Sequence, residues 1–189
     1  MRIEDEIKLT FDDVLIRPKR STLVSRSEVQ LERKLKFKHT SSTWTGIPIV
    51  SANMDTTGTF ETAISLQKFK MITAIHKFYS IDDWKNNIDK LNADYIAVTV
   101  GQSDDDLELA KNIFNLNNEI KFLCIDVANG YREDFINAVK RYREIFKEKI
   151  IIAGNVATRE MTEALILAGA DIVKIGIGPG SVCTTRSVA

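Results

Sequence analysis

One pattern recurs through this chain and limits what it can fold into: a short β-rich apolar run followed by a stretch with helical spacing. The runs are GIPIVSANM (46–54), MITAIHK (71–77), YIAVTVG (95–101), FLCIDVANG (122–130), KIIIAGNVA (149–157) and DIVKIGIG (171–178). Between them the period changes. In EDFINAVKRYREIF, Phe135, Val139, Tyr142 and Phe146 fall on one stripe. TREMTEALILAGA opens on the N-cap candidate Thr158 and closes at Gly169. Strands alternating with crossover-length helices imply a parallel sheet with right-handed connections. A unit of about 25 residues, repeated without a linker, predicts an α/β fold of the (β/α)8 TIM barrel type. A doubly wound open sheet is the competing architecture. Only about six of the eight barrel strands are present, so residues 46–189 are expected to form an incomplete barrel, inactive and poorly folded on its own.

Residues 1–45 break the pattern. They are basic and short-stranded, and read as an N-terminal cap or arm. The opening MRIEDEIKLT carries three acids and no apolar core, unlike a secretory signal. Lys and Arg number 26, as do Asp and Glu, so net charge offers no electrostatic case for nucleic acid or a membrane surface. No apolar run approaches the roughly 20 residues that span a bilayer. The two cysteines, Cys124 and Cys183, lack CxxC spacing, which argues against a zinc or disulfide framework and makes a reducing cytoplasm the expected location.

Polar residues gather where the predicted strands end: Asn53 and Asp55, His76 and Lys77, Thr99, Asp126 and Asn129, Asn155, and Gly176 through Arg186. In a barrel, that face carries the active site. The last loop, KIGIGPGSVCTTR, fails the dinucleotide fingerprint because Ser181 stands where the third glycine belongs. Its glycines suit a backbone that approaches a ligand closely and cradles an ion. Cys183 lies outside any strand pattern with Arg186 nearby, a setting that favours thiolate; it reads equally as a nucleophile or a structural thiol. Cys124, inside FLCID, reads as structural. Lys77 and Arg26 alternatively read as solvated charges, Asp126 as a carboxylate binding neighbouring amides, and His39 as a surface residue.

GIGPGSVCTTR, with AGNVAT a strand earlier, resembles the shared signature of the IMP dehydrogenase/GMP reductase family. PIVSANMDTTGTFETA, CIDVANGY and FDDVLIRPKRSTLVSRSEVQLER are similar to the reductase branch, although TVGQSDDD lacks that branch's serine-glycine run. FYSIDDWKNNIDKL leaves no room for the dehydrogenases' regulatory insertion. The resemblance implies NADPH-dependent reductive deamination of GMP to IMP and ammonia, with Cys183 attacking C2 and Thr185 handling the proton on the departing ammonia. Ser25, Arg26, Lys77, Asp126, Val127, Ala128, Ile177 and Gly178 are the implied cofactor contacts. Ser181, with Asn53 and Asp55, is assigned to the substrate nucleotide. Gly178, Gly180, Cys183 and Arg186 are assigned to a monovalent cation, potassium. A homotetramer is the implied assembly. The alternatives are an IMP dehydrogenase without its insertion, or a truncated, non-catalytic remnant.

Overall fold

The computed structural model describes Leu9, residues 13–178, Gly180 and Cys183. Leu31–Ile177 form one compact unit, and Met1–Gln30 with Gly178–Ala189 form another.

The larger unit opens with an antiparallel hairpin, β1 (Arg33–Lys36) and β2 (Thr43–Gly46). Six parallel strands follow: β3 (Val50–Ser51), β4 (Ile72–Ile75), β5 (Ile96–Val100), β6 (Phe122–Asp126), β7 (Ile150–Val156) and β8 (Ile172–Ile175). Between successive strands run α1 (Phe60–Leu66), α2 (Ile81–Asn87), α3 (Asp104–Leu116), α4 (Glu133–Ile145) and α5 (Arg159–Ala168). Each of the six apolar runs contains its strand. The stripe Phe135, Val139, Tyr142 and Phe146 is buried, and Thr158 and Gly169 cap α5 as their chemistry requires.

Spatial order separates the two candidate architectures. The sheet reads β3-β4-β5-β6-β7-β8, the order of the chain. A doubly wound sheet reverses direction at a switch point, whereas a barrel adds each strand beside the last. The sheet also curls. Lys174 on β8 donates to Asn53 Oδ1, just beyond β3, at 2.7 Å. Five strand spacings of about 4.8 Å would hold those edges roughly 24 Å apart in a flat sheet. One lysine side chain spans the gap only because the strands wrap round. The fold is a partial (β/α)8 barrel.

Side-chain alternation divides the core. Ile75, Val98, Val100, Leu123, Ile125, Ile151 and Ala153 face outward and pack in one cluster with Phe60, Trp84, Ile113, Phe135, Tyr142 and Leu165 of the helices. Ile72, Ala74, Ala97, Phe122, Cys124, Ile150 and Ile152 face inward with Trp44 of the hairpin. Trp44, 2% exposed, meets Phe122 and Tyr95 edge-on and donates its indole N–H to the Asp94 carbonyl at 2.8 Å. The hairpin thus plugs the end where the strands begin.

The same end holds a buried ion pair. Arg143 reaches Asp171 at 2.5 Å and donates to the carbonyls of Gly169, Phe146, Lys147 and Lys149. Asp171 also accepts from the backbone N–H of Ile151 and of His39, each at 3.0 Å. His39 therefore departs from the surface position expected for it. It is half-buried, with its ring Nε2 2.7 Å from the Ile166 carbonyl.

In the smaller unit, Ser25 caps a short 3-10 turn, Arg26–Glu28. Its hydroxyl accepts from Ser27 N–H, and Glu28 returns a bond to Ser25 N–H. Cys183 N–H donates to the Gly180 carbonyl at 3.1 Å.

Candidate active site

Every strand of the sheet delivers its polar residue at one end, because parallel strands place their C-termini on a common face. Beyond β3 stands Asn53, half-buried, and then Asp55, exposed in a turn. Beyond β4 comes His76, buried and stacked on Tyr79 at 4.0 Å, followed by exposed Lys77. The His76 Nδ1 accepts from Phe78 N–H, so this ring orients its own loop.

The turn after β5 is fastened by Asp106, which accepts from Gly101 N–H at 2.9 Å and from Ser103 N–H at 3.0 Å. Burial alone would raise the Asp106 carboxyl. Hydrogen bonds from Ser103 and Gly101, with the charge of Lys77, outweigh it and hold the group below its ordinary value.

Asp126 ends β6, and its carboxylate pairs with the Lys174 ammonium. Backbone bonds lock the next residues to β7: Val127 N–H donates to Gly154 and Asn155 N–H to Val127, both at 2.9 Å. Asn155 in turn donates its side-chain amide to the Gly176 carbonyl at 2.8 Å. Inward-facing Lys174 thereby joins two residues expected at the site, Asn53 and Asp126.

Beneath this polar rim lies a cavity of about 310 Å³, floored by Ala74, Cys124, Ile152 and Ile172 and rimmed by Asn53, Asn155 and Lys174. Cys124 is 1% exposed. Burial pushes its thiol up to about 11, against smaller downward pulls from the Lys174 charge and the Thr99 hydroxyl. It is an inert wall residue.

The other expected residues are placed as follows. Ala128 is exposed and Val127 half-buried beside Asp126; Ile177 is half-buried just past β8. Ser25 and Arg26 are exposed in the smaller unit. That unit also contains Gly178, with φ 54°, exposed Gly180 and half-buried Cys183. Ser181, Thr185 and Arg186 lie outside the described residues. Lys174 was missed as a functional candidate in the sequence, although one signal was available. A lysine at an inward position of a parallel barrel strand is a charge where aliphatic residues normally stand.

Comparison with known proteins fits this geometry. The family model described as IMP dehydrogenase / GMP reductase domain matches residues 8–189. The GMP reductase of Buchnera aphidicola subsp. Schizaphis graminum (strain Sg) is 58% identical, over 98% of this chain and 54% of that protein. The GMP reductase of Escherichia coli O81 (strain ED1a) is 57% identical with the same coverage. Among solved structures, the inosine 5' monophosphate dehydrogenase of Legionella pneumophila superposes with a TM-score of 0.78 at 32% identity, over 95% of this chain and 54% of that one. The chain spans about half the length of the curated relatives it matches. Since the family model covers nearly all of the sequence, the chain belongs to the IMP dehydrogenase/GMP reductase family.

Proposed function

We propose that this chain is the nucleophile-bearing part of a GMP reductase, which converts GMP and NADPH to IMP, ammonia and NADP. The observation that carries this reading is the 57–58% identity to GMP reductases, maintained over 98% of the chain. The related dehydrogenase structure stands at 32%. The path from β4 to α2 agrees with it: Ile75 ends the strand and Ile81 begins the helix, a connection too short for an inserted domain.

The strand ends carry groups suited to NADPH. A carboxylate such as Asp126 suits ribose hydroxyls, and an exposed cation such as Lys77 suits a phosphate. Ser25, Arg26, Val127, Ala128, Ile177 and Gly178 complete the proposed contacts. The group would supply hydride to C2 of the purine. For potassium, the proposed donors are backbone carbonyls of Gly178, Gly180, Cys183 and Arg186. Gly178 takes a left-handed φ, and the Gly180 carbonyl keeps a lone pair beyond its bond to Cys183.

In the proposed chemistry, Cys183 Sγ attacks C2 and the 2-amino group leaves as ammonia, with Thr185 handling its proton. After reduction at C2, the C–S bond breaks and the thiol is regenerated. A covalent intermediate divides one hard displacement into two easier steps. Asn53, Asp55 and Ser181 are proposed to hold the nucleotide, and a cytoplasmic homotetramer is the proposed assembly. No helix among the described residues is long and apolar enough to cross a membrane.

The test is GMP-dependent NADPH oxidation with stoichiometric ammonia release. It is run on the 189-residue chain and on the chain joined to the remaining part of the E. coli relative. Cys183→Ala should abolish turnover in any active form. IMP-dependent reduction of NAD would establish the dehydrogenase alternative, and inactivity of both forms the non-catalytic one.

A further inference from the structure

We propose that Lys174 is a positioning residue that holds the Asp126 carboxylate in its cofactor-binding orientation, an inference that rests on the reductase reading above. Three observations carry it. First, among the described residues Lys174 is the only hydrogen-bond donor to the Asp126 side chain. The backbone just past Asp126 is tied to β7 through Val127 and Asn155, so the freedom that remains is that of the side chain. A carboxylate on two rotatable bonds samples several rotamers, and a ligand that selects one must offset the lost entropy. An ammonium fixed beside it removes that cost beforehand.

Second, Lys174 is itself fixed. Its Nζ also donates to Asn53 Oδ1 at 2.7 Å, so the ammonium is held between a central strand, β6, and the residues beyond the edge strand β3. The base of its side chain runs against Gly154 on the neighbouring strand. A Cβ there would come within 2.6 Å of the Lys174 Cβ, so only glycine lets the two strands approach this closely. Third, the pair is sheltered: the lysine side chain is 25% exposed and the aspartate 23%, which limits screening by solvent. The lysine acts on the reaction through Asp126 and Asn53, both placed at the strand ends that the site occupies.

Two measurements test this and fail independently. In the 189-residue chain, brief acetylation with peptide mapping compares Lys174 with exposed Lys68 and Lys147. Lys174 should react at least about tenfold more slowly, and Asp126→Ala should speed its modification while leaving the other two unchanged. Equal labelling in the wild-type chain overturns the proposal even if no enzyme activity exists.

In the chain joined to the remaining part of the E. coli relative, Lys174→Met should raise the KM for NADPH about tenfold or more, with a smaller change in kcat. Lys174→Arg should recover most of the loss. The double variant with Asp126→Asn should bind NADPH no worse than Asp126→Asn alone, since both act through one carboxylate. An unchanged KM in Lys174→Met, or additive losses in the double variant, overturns the positioning role. If this form instead turns over no GMP, the reductase reading falls and the labelling result alone decides whether Lys174 holds Asp126.

Discussion

The two ends of the half-barrel are built on opposite principles. At the end where strands begin, an aromatic plug and a buried ion pair close the interior. Trp44 packs against Phe122 and Tyr95, and Arg143 and Asp171 satisfy each other and five neighbouring backbone carbonyls and amides beside them, with His39 adding a sixth. At the end where strands finish, the interior opens under Asn53, Asp126, Asn155 and Lys174, held by a few polar bonds over a cavity. One end spends its side chains on closure and the other keeps them reachable. The same sheet does both because interior residues change from apolar to polar along the strands, as from Phe122 and Cys124 to Asp126 on β6 and from Ile172 to Lys174 on β8.

Substitutions at the two ends should therefore differ in kind. The largest effects on folding belong to the floor. Trp44→Ala should cost about 3–5 kcal/mol, the usual loss for a buried tryptophan. Asp171→Ala should cost a similar 3–5 kcal/mol or so by leaving Arg143 buried without its counter-charge. Denaturant titration checks both. A loss under about 1 kcal/mol in either would show that the hairpin end is not a structural floor.

The thiols offer a second comparison, between the barrel interior and the smaller unit. With the Cys124 thiol raised to about 11, roughly one in a thousand is ionised at pH 8, and the residue is 1% exposed. Half-buried Cys183 should alkylate at least about a hundredfold faster under brief iodoacetamide treatment followed by peptide mapping. Comparable rates would mean that the interior opens far more readily than its packing indicates.

At the mouth, Asn53→Ala removes one hydrogen bond to Lys174 and should cost only about 1 kcal/mol. Its main effect should be on nucleotide binding, measured by GMP titration. A folding loss as large as that of Trp44→Ala would erase the distinction between the ends.

The smallest effect concerns pH. The Asp106 carboxyl is lower in the folded chain, so its contribution is present above the unfolded value of about 4 and is lost as pH falls through the folded value. Asp106→Asn should thus melt slightly below wild type at pH 7, with the gap closing in acid. A gap that widens below about pH 4 would reverse the sign assigned to this group.

Much of this architecture can be read from local sequence. Apolar runs and helix caps are short-range signals: each of the six runs contains a strand, and the four central ones, β4 to β7, are buried on both faces. The glycine loop and its cysteine were equally plain, since chemistry there is written in consecutive residues. The network around His39 was not. Its partners, Asp171 and Ile166, lie 132 and 127 residues away, and nothing near KFKHT announces them.

Sequence by itself thus determined the alternation of strand and helix and the face on which polar residues collect. Each rests on periodicity or on neighbouring residues. Tertiary structure bears out the barrel that the repeat predicted, with the strands in chain order and the sheet curled. It alone decided that Lys174 meets Asp126 and Asn53 across the mouth, 48 and 121 residues away. The physical reason is reach. A lysine side chain can bridge the edge strands only after backbone twist and two packed faces have wrapped the sheet, and no local preference encodes that closure.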